Sequence, residues 1–196
     1  MIVQIIGVSG CGKTTIARNL SKAIGIPYYD ADDFHPKENI EKMKKGQPLD
    51  DSDRAAWLSS LSTHLQKWER EGGAILACSA LKEKYRTVLS QGLENCHWVF
   101  LSGNYDLIYK RMRNRQGHYM GEQMLRSQFD ALEEPDYGLV IDIKQSPQQI
   151  TEHIISMLKM ENKSEFGVYG LVFNNGQLVS VIQSFFSHLF DSDKIA

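Results

Sequence analysis

The sequence has few cysteines, little net charge and no long hydrophobic run, and each absence excludes a class of protein. Its three cysteines, Cys11, Cys78 and Cys96, are odd in number and lack metal-ligand spacing, so they indicate reduced thiols rather than a disulfide framework. The net charge of −2 provides no polycation for a nucleic acid or an anionic membrane. No apolar run is long enough to cross a bilayer, and no signal peptide precedes the first apolar run. We therefore expect a cytoplasmic protein that binds neither nucleic acid nor membrane.

What the sequence does contain is a phosphate-binding loop. Residues 7–14, Gly-Val-Ser-Gly-Cys-Gly-Lys-Thr, fit the pattern G-x-x-x-x-G-K-[ST] at every fixed position. Glycines let backbone N–H groups turn toward phosphate oxygens, where a Cβ would collide. An apolar run precedes the loop and helical spacing follows it, as the motif requires. The motif and its flank predict a nucleotide-binding set, with Thr14 also on Mg²⁺: Gly7, Ser9, Gly10, Cys11, Gly12, Lys13, Thr14 and Thr15.

Apolar runs alternate with helical patterns along the chain. Five runs are typical of strands: 2–7, 27–30, 74–78, 98–101 and 139–143. Six stretches have helical spacing: 14–24, 53–70, 82–91, 104–114, 121–132 and 147–159. This alternation predicts an α/β fold with a mostly parallel sheet, which binds ligands beyond the carboxyl ends of its strands. Residues 160–196 look different, with a polar linker, two strand-like runs around a turn and an apolar patch, so we expect a domain over 1–159 and an extension over 160–196.

Two carboxylates follow the second predicted strand. Asp30 and Asp32 stand one residue apart, and strand alternation would send both side chains to the same side. One carboxylate can help to hold hydrated Mg²⁺, and the other can accept a proton from an attacking hydroxyl. The third strand ends in Cys78-Ser79, where switch and motor NTPases usually carry a metal-binding acid, so a small-substrate kinase is favoured. Capping of a turn is the alternative role for the two aspartates.

Basic residues cluster after the third strand and after the fourth of the predicted helices. Lys82, Tyr85 and Arg86 share one face of a helix, and the two cations suit a substrate carboxylate, although a solvated face is equally compatible. Arg111 and Arg115, followed by Gly-His, suggest a lid over about 111–125 that brings one or two arginines to the phosphates.

The segment before the second long helix supplies a further cation. Ser52 or Asp51 is expected to cap that helix, and Arg54 is free to point into the cleft. Trp57 and Trp68 recur at helical spacing, which favours core packing over cofactor stacking.

With these residues in view, the chain resembles the gluconokinase family of small P-loop kinases. The matching stretches are GVSGCGKT (7–14), DADDFHP (30–36), NIEKMKKGQPLDDSDRAAWL (39–58), CSALKEKYR (78–86) and GHYMGEQMLRSQFDALEEP (117–135). The resemblance covers about residues 1–159 and implies the P-loop NTPase fold of the adenylate-kinase-like type, with a five-stranded parallel sheet and a mobile lid. It implies transfer of a phosphoryl group from ATP to the 6-hydroxyl of D-gluconate, with Mg²⁺. Residues 160–196 have no counterpart in it.

The resemblance also implies roles for individual residues. Asp32 matches the acid beside the acceptor hydroxyl, and Lys13 and Arg115 complete the expected catalytic set. Arg111 and Arg115 match ATP-binding lid arginines, and Gln145 and Pro147 match the loop beside adenine. Thr14 and Asp30 are the expected metal ligands. The expected substrate-binding residues are Asp32, His35, Arg54, Lys82, Arg86, His118 and Gln128.

Two other functions stay open at this stage. One is a kinase for shikimate or a related polyol acid, and the other is a regulatory module that senses ATP without transferring its phosphoryl group. Members of the family are often dimers, so a homodimer to which apolar residues of 160–196 contribute is also expected.

Overall fold

A single parallel sheet organises the amino-terminal part of the chain. The computed structural model describes residues 1–47, 49–113, 122–164, 173–174 and 177–178. The sheet has five strands: Ile2–Ile6 (β1), Tyr28–Asp30 (β2), Ala74–Ala77 (β3), Cys96–Ser102 (β4) and Leu139–Asp142 (β5). Their order is β2-β3-β1-β4-β5, and every neighbouring pair is parallel. The predicted parallel sheet and all five predicted strands are confirmed, with ends that differ by one to two residues.

Helices connect these strands and continue beyond the last one. Those in the described residues are Lys13–Ile24 (α1), Lys37–Lys44 (α2), Asp51–Arg70 (α3), Glu83–Ser90 (α4), Tyr105–Arg113 (α5), Glu122–Asp130 (α6) and Pro147–Ser164 (α7). A short 3-10 helix, Ala31–Phe34, follows β2. The sequence did not predict α2 because most of its residues are charged and only Asn39 is buried, so no apolar periodicity marks it.

Burial explains why the sheet forms where it does. All five residues of β1 are buried, which is expected for a central strand covered on both faces. Helix α3 packs its apolar stripe into the main core, including Trp57, Leu61 and Trp68. The two tryptophans are therefore core residues, as predicted. Because β1 is central, the loop that follows it opens at the middle of the sheet edge.

Helix α3 begins differently from the prediction. Asp50 is the N-cap, and it forms a capping box with Asp53 through the Asp53 backbone N–H and the Asp53 carboxylate. The expectation that Ser52 or Asp51 caps α3 is thus wrong. Ser52 instead donates its hydroxyl to Asp50 Oδ1, at 2.7 Å, and Asp51 is the first helical residue.

The carboxyl-terminal residues form a second compact unit. The chain divides into Met1–Met157 and Leu158–Ala196. The predicted polar linker after 159 is wrong for residues 160–164, which continue α7. Within the second unit, Phe173–Asn174 (β6) and Gln177–Leu178 (β7) pair in antiparallel fashion, as expected of two strands around a turn. In the part of the chain that the structure describes, no helix combines the length and apolar content that crossing a bilayer requires.

Candidate active site

The loop after β1 has the backbone form that phosphate binding needs. Gly7, Gly10 and Gly12 all adopt positive φ values, of 139°, 82° and 110°. A Cβ on Gly7 would lie 2.9 Å from the carbonyl oxygen of Leu101, and one on Gly10 would lie 2.6 Å from Cγ of Met112. Only glycine fits both positions, so the loop can turn its N–H groups inward as a cradle for an anion.

Two polar side chains of the loop, Lys13 and Thr14, have defined hydrogen-bond partners. Lys13 Nζ donates to the carbonyl oxygens of Gly7 and Val8, at 2.9 and 3.1 Å, which holds the ammonium across the loop. Thr14 Oγ1 donates to Asp30 Oδ2, at 2.8 Å. A hydroxyl and a carboxylate thus meet at one point, and these are oxygen ligands of the type that Mg²⁺ prefers in kinase sites.

The donor set at this point fits a magnesium ion that is also held by phosphates. Mg²⁺ in such sites needs only one or two protein oxygens because phosphate and water oxygens complete its shell. Among the described residues, no group of three or more His, Cys, Asp or Glu side chains could hold a metal. Thr14 and Asp30 are the residues that would hold the ion.

Asp32 reaches the same cleft by a different route from the one predicted. It lies in the 3-10 helix that follows β2, not on the strand, so strand alternation does not place it. Asp30 accepts a hydrogen bond from the Asp32 backbone N–H, at 3.2 Å, and so caps this short helix as well as binding Thr14. Asp30 therefore caps a turn, as the alternative role predicted, and its carboxylate also lies beside the phosphate loop.

The electrostatics of Asp32 link it to the phosphate-binding loop. Crowding by protein atoms and, next, repulsion from the Asp30 carboxylate raise the pKa of Asp32, while the Lys13 ammonium opposes them. The Asp32 side chain is still 82% exposed, so water weakens these effects and leaves room for an incoming alcohol. The Lys13 ammonium and the Asp32 carboxylate are therefore near enough to influence each other electrostatically.

His35 is fixed beside Asp32 as a neutral imidazole. Its ring stacks on Trp57, with centroids 4.1 Å apart and planes 15° from parallel. Burial and then the positive charge of Arg54 lower the pKa of His35 to about 4. Its Nε2 lies 4.0 Å from Asp32 Oδ1. A neutral imidazole at this place can exchange hydrogen bonds with a hydroxyl but contributes no charge at neutral pH.

Cations from α3 and from the residue before α4 lie over the ring of Tyr85. Arg54 of α3 and Lys82, the residue before α4, lie over this ring at 5.7 Å each from its centroid. Lys82 Nζ also donates to Asp51 Oδ1, at 3.2 Å, and the Tyr85 hydroxyl donates to the same carboxylate. The structure therefore brings Arg54 and Lys82 together. The sequence suggested Asp51 only as a helix cap, and its contacts with Lys82 and Tyr85 were not predicted.

Arg86 does not join this group, and its expected contact with substrate is not met. Its side chain is 1% exposed, and all of its N–H groups donate to protein oxygens. The acceptors are carbonyl, carboxylate and hydroxyl oxygens of Ala80, Leu81, Glu83, Glu133 and Tyr137. Lys82 and Tyr85 lie together at Asp51, but Arg86 points into the protein, so the three side chains do not form the single face that their spacing predicted.

Gln128 binds the phosphate loop instead of lying open to substrate. Its Oε1 accepts from the Ser9 backbone N–H, at 2.7 Å, and its Nε2 donates to Ser9 Oγ, at 3.1 Å. The amide thus pairs with the backbone N–H and the hydroxyl of one loop residue. Helix α6, which carries Gln128, is in this way attached to the nucleotide side of the cleft.

A cavity of about 340 Å³ adjoins the loop. Its lining includes residues that were predicted to bind the nucleotide, among them Gly10, Thr15, Arg111, Gln145 and Pro147. Arg111 Nη2 donates to the Ile143 carbonyl, at 2.7 Å, which directs the guanidinium along the cavity wall. Arg115 and His118, and most of the expected lid, fall outside the described residues.

The sequence of this chain is similar to those of known kinases. Residues 9–159 match the family model described as shikimate kinase. The chain is 37% identical over 163 residues to the thermoresistant gluconokinase of Escherichia coli K12, with 81% of this chain and 93% of that protein covered.

Two solved kinase structures resemble this chain in both sequence and fold. An unliganded sugar kinase from Janibacter sp. HTCC2649 is 41% identical with a TM-score of 0.75, covering 81% of this chain and 94% of that one. A gluconokinase from Sinorhizobium meliloti 1021 is 32% identical with a TM-score of 0.77, covering 84% of this chain and 94% of that one.

Proposed function

The chain belongs to the shikimate kinase-like family and, within it, to the gluconokinases, and we propose on that premise that it phosphorylates D-gluconate. The reaction transfers the terminal phosphoryl group of ATP to the 6-hydroxyl and gives 6-phospho-D-gluconate and ADP. The enzyme is thus a phosphotransferase with an alcohol as acceptor. The observation that carries the proposal is that Thr14 of the phosphate loop donates to the Asp30 carboxylate, which also accepts the Asp32 backbone N–H.

The nucleotide half of the site has a defined set of tasks. The loop N–H groups and Lys13 bind phosphate oxygens, and the wall formed with Arg111, Gln145 and Pro147 supports the nucleoside. Thr14 and Asp30 would hold Mg²⁺, which when bound offsets the negative charge of the phosphates. Arg115, by its resemblance to lid arginines, is the further cation expected at the transferring group.

The acceptor half provides the proton acceptor and the binding groups. Asp32 orients the terminal hydroxyl and takes its proton at a carboxylate oxygen, for which its raised pKa and open position suit it. Neutral His35 hydrogen-bonds a sugar hydroxyl. Arg54 and Lys82 attract the carboxylate of gluconate, and their meeting point at Tyr85 supports that assignment. His118 stays a predicted substrate contact.

Coupled ADP release tests this function against its rivals. Wild-type enzyme with ATP and Mg²⁺ is assayed with D-gluconate, with shikimate, with a gluconate lacking the 6-hydroxyl, and without acceptor. We expect ADP release only in the assay that contains D-gluconate. Release with shikimate but not gluconate would identify the rival kinase, and ATP binding without any acceptor-dependent release would identify an ATP-sensing module.

Location and assembly complete the proposal. We place the enzyme in the cytoplasm, where ATP is available and where three free thiols remain reduced. We also propose a homodimer with a contribution from the apolar residues of 160–196. Light scattering after size-exclusion chromatography tests it, and a monomer at micromolar concentration would contradict it.

A further inference from the structure

Arg86 is a buried cation whose hydrogen bonds reach well beyond its own helix. Its Nε donates to Glu83 Oε2 and to the Tyr137 hydroxyl, at 2.9 and 3.0 Å. Nη2 lies 2.8 Å from Glu83 Oε2 and donates to the Glu133 carbonyl, also at 2.8 Å. With the two bonds from Nη1, every N–H of the guanidinium has an acceptor in the protein. A guanidinium satisfied in this way is unavailable to a ligand.

The bonds from Nη1 hold a turn that is strained. They run to the carbonyl oxygens of Ala80, at 2.9 Å, and Leu81, at 3.2 Å. Ala80 has a φ of +39° and is the non-glycine residue with positive φ in the described part of the chain. An alanine takes this conformation only when its surroundings impose it. Arg86 is the side chain that bonds both carbonyls of the turn.

This turn joins the two halves of the active site. On one side, the Gly7 backbone N–H, at the start of the phosphate loop, donates to the Ser79 carbonyl at 3.3 Å. On the other side, the turn leads directly to Lys82, which is extended and precedes α4. The position of the Lys82 ammonium over Tyr85 therefore depends on the backbone at Ala80 and Leu81.

The segment after α6 supports the turn from its other face. Glu133 donates its backbone N–H to the Leu81 carbonyl, at 2.8 Å, and its carboxylate accepts from the Glu83 backbone N–H, at 2.6 Å. Arg86 bonds the carbonyl of the same Glu133. The guanidinium thus fastens the turn to a segment that is 47 residues away in sequence.

We propose that Arg86 is a positioning residue for the acceptor: it holds the 80–82 turn in its strained form so that Lys82 meets the substrate carboxylate. This inference rests on the proposed function, because it assigns Lys82 to gluconate. It replaces the direct contact between Arg86 and substrate that the sequence suggested.

Arg86→Lys tests the proposal because lysine keeps the charge but lacks the planar fork that reaches three segments at once. We expect the KM for gluconate to rise about tenfold or more, and the KM for ATP to change less than about twofold. The matched control is Arg70→Lys, at an exposed residue that ends α3. A lower melting temperature with both KM values unchanged would show a merely structural role and overturn the proposal.

A second substitution tests the strained turn directly. Glycine adopts positive φ without the cost that alanine bears, so Ala80→Gly in the Arg86→Lys background should recover part of the affinity for gluconate. An unchanged or higher KM in the double variant would overturn the role of the turn. If Arg86→Lys does not fold, Tyr137→Phe removes one acceptor of the guanidinium and should raise the gluconate KM in the same direction. An unaltered KM in that folded variant would also count against the proposal.

An assay of the wild-type enzyme distinguishes failure of the positioning role of Arg86 from failure of the proposed function. If it shows no gluconate-dependent ADP release, the function is wrong, and hydrogen exchange still tests the turn. A peptide covering residues 78–86 should then exchange faster in Arg86→Lys than in wild type and Arg70→Lys. Equal exchange in all three would overturn the positioning role.

Discussion

At the scale of single residues, Asp32 combines two properties that a proton acceptor for an alcohol needs. Its pKa is raised by the crowded cleft and by Asp30, and its side chain remains open to solvent. A carboxylate with higher proton affinity accepts the hydroxyl proton more readily as the oxygen attacks phosphorus. Neighbouring Asp33 occupies the same 3-10 helix and is also exposed, which makes it a natural control.

Asp32→Asn is therefore expected to lower kcat about 10²- to 10⁴-fold, with little change in ATP affinity. Steady-state kinetics and ATP titration measure the two effects. Asp33→Asn should stay within about twofold of wild type in both. Near-normal turnover in Asp32→Asn would remove this residue from the chemistry.

His35 makes the stability of the fold depend on pH in a defined window. Its folded pKa of about 4 lies below the ordinary value of 6.5, so the unfolded chain binds more protons between these values. The stabilisation from keeping His35 neutral is complete above about pH 6.5 and is lost as the pH falls toward 4. Asp32 and Arg54 are the charged groups that act beside the ring.

We expect His35→Gln to reduce the loss of unfolding free energy between pH 7 and pH 5 by about 1–2 kcal/mol relative to wild type. Urea unfolding at the two pH values measures it. His153→Gln, at an exposed histidine of α7, should retain the wild-type difference. The same loss in His35→Gln as in wild type would mean that another group is responsible.

At the scale of elements, α3 connects the core to the acceptor side of the cleft. Its apolar stripe includes Leu61 and Leu65, which are fully buried, and its first turn carries Arg54. The indole N–H of Trp57 donates to the Ala31 carbonyl, at 3.0 Å, which anchors the 3-10 helix of Asp32 to α3. The start of α3 is therefore important for the site as well as for the helix.

The capping box at this start predicts a measurable loss when it is removed. Asp50→Ala takes away the acceptor of the Asp53 N–H and should lower the melting temperature by about 2–4 °C. Thermal unfolding followed by circular dichroism measures it. Ser59→Ala, at an exposed position inside α3, should leave the melting temperature unchanged or slightly higher. An equal response of the two variants would argue against the cap.

At the scale of the whole molecule, the candidate site lies within one of the two compact units. Every described residue that is assigned to nucleotide, metal or acceptor belongs to Met1–Met157. Helix α7 begins in that unit, at Pro147, and ends at Ser164. No residue after this helix has been assigned a role in the proposed chemistry.

A chain ending at residue 164 is accordingly expected to keep kcat/KM for gluconate within about twofold of the full chain. Coupled ADP release measures it, with circular dichroism to establish folding. Light scattering on the same variant shows whether the removed residues hold a dimer together. A folded variant without activity would assign a catalytic contribution to the removed residues.

The sequence alone determined the features that depend on short spacing. The phosphate loop, the strands and most helices follow from patterns within a few residues, and the β-α alternation yields a parallel sheet. The matching stretches also determined the family. Helix α2 was not predicted, because most of its residues are charged and no apolar periodicity marks it.

The tertiary structure decided which polar side chains meet. Gln128 bonds Ser9 from 119 residues away, and Arg86 bonds Glu133 from 47 residues away, so neither contact has a local signature. The 3-10 turn of Asp32 and the strained Ala80 also depend on partners from other elements. The physical reason is that hydrogen bonds of buried polar groups are satisfied by whichever acceptors the fold brings near, and only the packed chain specifies those.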